Sequence, residues 1–154
     1  MSLVLKPPTS LSHITTSRTV FLAGSIEMGT AEDWQTRVTS ALQTIPDLTI
    51  LNPRRDEWDG SWEQTIANPV FREQVEWELD AQDLATLIVM YFSPATKAPI
   101  TLLELGLFAA SDKLIVCCPD GYWRKGNVEV VCDRYEIPLV DTLDELIAAV
   151  RRRF

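Results

Sequence analysis

The chain is poor in histidine, cysteine and basic residues, and each shortage excludes a class of chemistry. Its one histidine, His13, lies in the Pro- and Ser/Thr-rich start "KPPTSLSHITTS". A Ser-His-Asp or Cys-His site would have to recruit it from there. No His/Cys cluster has the spacing of a metal site, so no metal and no cofactor is expected. Three cysteines make no even disulfide framework, and Cys117 and Cys118 are adjacent in an expected strand. A reduced, cytoplasmic setting fits that usage. With 14 basic against 22 acidic side chains the net charge is −8, which argues against a nucleic-acid or anionic-membrane partner. The one basic run, "RRRF" at the end, suits the C-terminus of a helix. No apolar run reaches the roughly eighteen residues of a membrane span, and no signal peptide is apparent.

What the chain has is an alternation of β-like and helical segments. "RTVFLAG" (18–24), "LTILNP" (48–53), "ATLIVMYF" (85–92), "KLIVCC" (113–118) and "IPLV" (137–140) read as strands. Between and after them, "AEDWQTRVTSALQTI", "VFREQVEWELDAQDL", the segment around Glu104, "GNVEVVCDRYE" and "DTLDELIAAVRRR" read as helices. Strands apolar on both faces, each followed by a helix, imply a parallel sheet covered on both sides. The expected fold is a doubly wound, flavodoxin- or Rossmann-like α/β domain over 18–154. It has five strands ordered 2-1-3-4-5, after an irregular segment 1–17. Ligands of such sheets bind beyond the C-terminal strand ends, where strand order reverses.

Glu104 is the first candidate for chemistry, because it interrupts the apolar run "APITLLELGLFAAS". A charge there must be paired, neutralised or used. The spacing places it in the first turn of an apolar, buried helix, where the dipole would favour the anion. Gly106 would admit a close neighbour. The competing reading is an ion-pair carboxylate at a helix start. Glu78 is the second candidate, on a stripe of Phe71, Val75, Glu78 and Gln82 with Gln74 beside it. Its competing reading is a solvated glutamate or a partner for Arg72 or Arg55. Gly24 closes the first strand and would admit a ligand, though "LAGSI" carries neither nucleotide-binding fingerprint. At the end of the second strand, "NPRRDEW" offers Arg54 and Arg55 to an anion or a carboxylate and Trp58 to a flat ring, or holds a loop by ion pairs.

Together "FLAGSI", "NPRRDEW", "QVEWELDAQDLATLIVMYF", "SPATKAPITLLELG" and "CPDGYWRKGNVEVVCDRYEIP" resemble the nucleoside 2-deoxyribosyltransferase superfamily, in particular its "nucleoside 2-deoxyribosyltransferase-like" branch. The resemblance implies a doubly wound α/β fold and cleavage of a nucleoside N-glycosidic bond through a covalent glycosyl-glutamate. Glu104 matches the nucleophile of the family's E-L-G motif. Glu78 matches a family carboxylate near the base, and Gly24 with Ser25 the turn that meets the sugar; Asn52, Arg54, Arg55 and Trp58 are expected to shape the substrate pocket. A homo-oligomer is also implied. The chain departs from the family in three places: "SPATKAPIT" has no acid before the nucleophile, Glu78 replaces the usual aspartate, and Ile26 stands near the first-strand turn where an aromatic is usual. Tyr91 or Tyr135 are candidate substitutes for that aromatic. The expected partner is a small nucleoside or nucleotide. Two alternatives are an N-glycosidase acting on nucleoside 5′-monophosphates and a non-catalytic binding module of the same fold.

Overall fold

The computed structural model of the chain describes residues 1–26, 33–55 and 60–154. Six strands form one sheet: β1 (Leu3–Leu5), β2 (Arg18–Gly24), β3 (Leu48–Leu51), β4 (Leu87–Tyr91), β5 (Leu114–Cys117) and β6 (Leu139–Val140). Every neighbouring pair runs parallel, in the order β1-β3-β2-β4-β5-β6. The five expected strands take their expected order, but the count is corrected to six. "LVL" in the segment read as irregular adds to the edge of β3, with Leu3 opposite Thr49 and Leu5 opposite Leu51. Three residues before Lys6, Pro7 and Pro8 carry too little periodicity to mark a strand, and it is pairing with β3 that orders them.

Among the described residues, five α-helices cover the sheet: α1 (Trp34–Leu42), α2 (Pro69–Leu84), α3 (Pro99–Phe108), α4 (Lys125–Arg134) and α5 (Leu143–Arg153). The strand period of two sorts the core into two layers. Phe21, Ala23, Ile88 and Met90 meet Trp77 and Ala81 of α2, Leu105 of α3 and Val128 and Cys132 of α4. Val20, Leu22, Leu87 and Val89 meet Trp34, Val38 and Leu42 of α1 and Leu146 and Val150 of α5. Helix ends follow capping chemistry. Asn68 accepts the Val70 N–H before Pro69 at the start of α2, and Thr142 accepts the Glu145 N–H at the start of α5. Arg151, Arg152 and Arg153 close α5, where cations suit the dipole.

Strand order reverses between β2 and β4, so their ends define the crevice. Gly24 is paired with Tyr91 there. A Cβ on Gly24 would lie 2.6 Å from both the Tyr91 carbonyl oxygen and Trp34 Cζ2. The close neighbours Gly24 admits are thus a ring and a backbone. Gly24→Ala should lower stability by about 1–3 kcal/mol, the range for overpacking. Urea unfolding checks this, and an unchanged midpoint would mean that the β2–β4–α1 junction yields easily.

Candidate active site

Asparagine capping and Pro69 set the phase of α2, and Gln74, Trp77, Ala81 and Gln82 face inward. The expected stripe is therefore rotated: Phe71, Val75 and Glu78 lie half-buried along its margin. Large Trp77 takes the core position and turns the smaller side chains aside. Gln74, Glu78 and Gln82, spaced by four, line up as a polar ladder. Its top is held by Gln74, whose Nε2 donates to the Pro53 carbonyl at 3.1 Å.

Glu104 meets the foot of this ladder. The residue is 7% exposed, and Gln82 Nε2 donates to its Oε2 at 2.7 Å. The same nitrogen donates to the Glu78 carbonyl at 3.1 Å. Contrary to expectation, Glu104 does not occupy the first turn of α3, which begins at Pro99 behind a left-handed Ala98 with no side-chain cap. One turn deeper, the dipole's help has faded and burial dominates. Burial pushes the Glu104 carboxyl up to about 7, against the Gln82 hydrogen bond. Glu78 is pushed up to about 8 by burial first and then by the charge on Glu104, with a Gln74 hydrogen bond opposing. The charge on Glu104 thus adds to burial in favouring the protonated form of Glu78, and the two carboxyls titrate as a pair. The dipole-stabilised anion expected at this position is replaced by a carboxyl pair raised by desolvation.

Two other expectations about α3 are corrected. The helix is not buried all round, since Ile100, Leu103 and Leu107 are more than half exposed. Gly106 faces open space rather than a close neighbour.

The other candidates gather at the neighbouring strand ends. Ser25, 2% exposed, is taken up by the protein itself. Its hydroxyl accepts from Thr96 Oγ1 at 2.7 Å and from the Ser93 N–H at 3.1 Å, and its carbonyl accepts from Trp34 Nε1 at 3.1 Å. Asn52 is buried, with its N–H on the Leu5 carbonyl and its Oδ1 taking the Arg54 N–H at 3.0 Å. Arg54 Nε lies 3.1 Å from Asp33 and 3.0 Å from Gln35 Oε1, while its Nη2 is buried without a partner among the described residues. Arg55 pairs with Glu73 at 3.1 Å and lies over the Trp62 ring, and its Nε is likewise unpartnered. Trp58 lies outside the described residues. Of the candidate aromatic substitutes, Tyr91 packs on Trp34 in the α1 layer, and Tyr135 is half-exposed at the end of α4. Neither of the shallow hollows along α4 and along the outer side of α2 includes Glu78 or Glu104. No group of three His, Cys, Asp or Glu side chains among the described residues could hold a metal ion. Among the same residues, no helix is long and apolar enough to cross a membrane.

The chain is a parallel α/β sheet with two carboxyls of raised proton affinity on neighbouring helices packed on one of its faces. The family model for "Nucleoside 2-deoxyribosyltransferase like" proteins matches residues 17–122, well over half of the chain, and the chain belongs to that family. No curated protein matches it. The fold is shared with a conserved protein of Enterococcus faecalis V583, at a TM-score of 0.63 and 12% identity over 89% of this chain and 99% of that one.

The raised carboxyls set the sign of a pH effect. Unfolded glutamates release their protons near pH 4.3, whereas these hold theirs to about 7 and 8. Between those limits the folded state binds more protons than the unfolded one, so stability falls as pH rises. Glu78→Gln should flatten that fall, by roughly 1.4 kcal/mol for every tenfold by which folding tightens the hold of Glu78 on its proton. Urea unfolding from pH 5 to 8 reads it, and an equal or steeper slope in the variant would overturn the assignment.

Proposed function

We propose that the protein breaks the N-glycosidic bond of a 2′-deoxynucleoside and passes the sugar to a second base or to water. The observation that carries this reading is a pair of carboxyls, Glu104 on α3 and Glu78 on α2, on helices joined through the Gln82 amide, with burial raising both and the charge on Glu104 also raising Glu78. Two carboxyls whose environments separate their titrations supply a nucleophile and an acid from one residue type. In the first step a Glu104 oxygen bonds to the anomeric carbon as the carbon–nitrogen bond breaks. The electron pair leaves with the base, which takes the Glu78 proton. In the second step an incoming base or water gives its proton to Glu78 and displaces Glu104. This is retaining-glycosidase logic on an N-glycoside, with an oxocarbenium-like transition state beside an anion. Membership of the family supports the same substrate class.

A second reading, cleavage of nucleoside 5′-monophosphates, is favoured by the buried donors Arg54 Nη2 and Arg55 Nε at the end of β3, which lack partners among the described residues. An anionic substrate group would satisfy them. The exposed Ile100, Leu103 and Leu107 on α3 support self-association into a homo-oligomer.

Chromatography of the protein with each 2′-deoxynucleoside and each 5′-monophosphate, with and without a second base, tests the proposal. Base exchange or release is expected, falling on the order of 10³-fold or more in Glu104→Gln and about 10²–10⁴-fold in Glu78→Gln. Thermal stabilisation by these compounds with no product would instead point to a binding module. Turnover undiminished in Glu104→Gln would refute the covalent route.

A further inference from the structure

Gln82 is fully buried on α2, and its amide nitrogen donates to two neighbours that matter to the site. One bond runs to Glu104 Oε2 at 2.7 Å, the other to the Glu78 carbonyl at 3.1 Å. Its Oε1 is buried and has no partner among the described residues. An orphaned buried acceptor weakens the fold, and an apolar side chain of the same shape would avoid that cost. Turning the amide over would not relieve it. The reversed amide would lose the Glu78 carbonyl bond and set two acceptor oxygens against each other whenever Glu104 is ionised. The amide orientation is thus determined by its two acceptors, a backbone carbonyl and a carboxyl.

The backbone carrying Gln82 is also fixed. Lys113 Nζ donates to the Gln82 and Asp83 carbonyls, at 3.3 and 2.8 Å, satisfying carbonyls that the helix end leaves open. Beyond it, Thr86 and Thr19 exchange backbone-to-hydroxyl bonds at 2.9 Å in both directions, tying the end of α2 to the start of β2. The end of α2 that carries the donor is therefore tied to the starts of β2, β4 and β5.

From this geometry we infer that Gln82 is the positioning residue for Glu104, holding Oε2 by a hydrogen bond so that Oε1 is the oxygen presented to the anomeric carbon. The inference rests on the glycosyl-transfer reading for the identity of the reacting carbon, but not for the hold on Glu104. A donor on one carboxylate oxygen fixes the plane of the group and keeps the other oxygen's lone pairs available for attack. It also favours the ionised form in a site whose burial opposes it. Besides the Gln82 amide, Glu78 is coupled to Glu104 by charge, and Lys113 contacts the Gln82 backbone carbonyl rather than the carboxyl.

The experiment pairs two variants with two readouts. Gln82→Met keeps the unbranched shape and removes the donor, while Gln82→Asn keeps the amide and shortens its reach by one methylene. Carboxyl titration by NMR, with ¹³C-labelled glutamate and Glu104→Gln for assignment, needs no substrate. The Glu104 titration should move upward in Gln82→Met and by less in Gln82→Asn. With the nucleoside that turns over best, kcat should fall about 10²-fold in Gln82→Met, KM should stay within about threefold, and Gln82→Asn should lie between. An unchanged Glu104 titration in both variants overturns the proposal. So does a loss confined to KM. If the wild type releases no base from any nucleoside or nucleotide and yet the Glu104 titration shifts, the hold on Glu104 stands and the glycosyl reading alone fails.

Discussion

The hydrogen bond from Gln82 to Glu104 is the constraint on which the seam between α2 and α3 depends. A carboxyl in the second turn of α3 has neither the helix terminus nor bulk water to stabilise its charge. A buried amide on the neighbouring helix takes that place. Because the same amide also binds the Glu78 carbonyl, the two acid-bearing helices are joined at one point. Burial raises both carboxyls, and the join opposes it at Glu104. Were Glu104 one turn nearer Pro99, the dipole would favour the anion and there would be less charge coupling to hold a proton on Glu78.

A second, stiffer junction lies beside it. Trp34, Gly24, Ser25 and Tyr91 close β2 onto β4, and Thr96 and Ser93 bring the loop before α3 onto the Ser25 hydroxyl. The carboxyl-bearing helix therefore starts from a loop anchored to the central strands. This division explains why Gly24 and Ser25 sit at the ligand edge of the sheet yet make their described contacts to the protein. They fix the frame from which α3 departs. Glu104, which meets α2 through Gln82, is carried on that frame.

Much of this was legible from residue patterns, and the failures have physical causes. Apolar runs bounded by turn residues marked five strands and their order, because strands buried on both faces need that composition. The edge strand Leu3–Leu5 escaped because its order comes from pairing with β3, not from its own three residues. Glu104 stood out as a charge in an apolar helix, and its burial survives while its turn does not. Pro99 can start a helix, and α3 starts there, earlier than the apolar spacing alone indicated. Spacing by four put Gln74, Glu78 and Gln82 on one line. It did not reveal that Trp77 would take the inward position and leave Phe71, Val75 and Glu78 at the margin, nor that an amide would be the partner of the acid. Partners across helices are set by tertiary packing, which a periodic pattern along one helix does not encode.

The energetics point from stability toward function. In a core where Phe21, Leu22, Ile88, Met90 and Phe92 are fully buried, the α2–α3 seam holds two acids with raised affinities for protons and two amide oxygens without partners among the described residues. Each of these weakens the fold relative to leucine or methionine in the same space. Unpartnered polar atoms also occur on α1 and at the end of β3, but among the described residues only this seam combines them with carboxyls of raised proton affinity. All four groups lie on one ladder of α2 and the turn of α3 that faces it. Isolated packing defects would have no reason to share that line with two acids. A seam that holds two carboxyls of raised proton affinity with an amide oriented between them needs all these groups together, and its cost near neutral pH is the property that the proposed glycosyl transfer would use there.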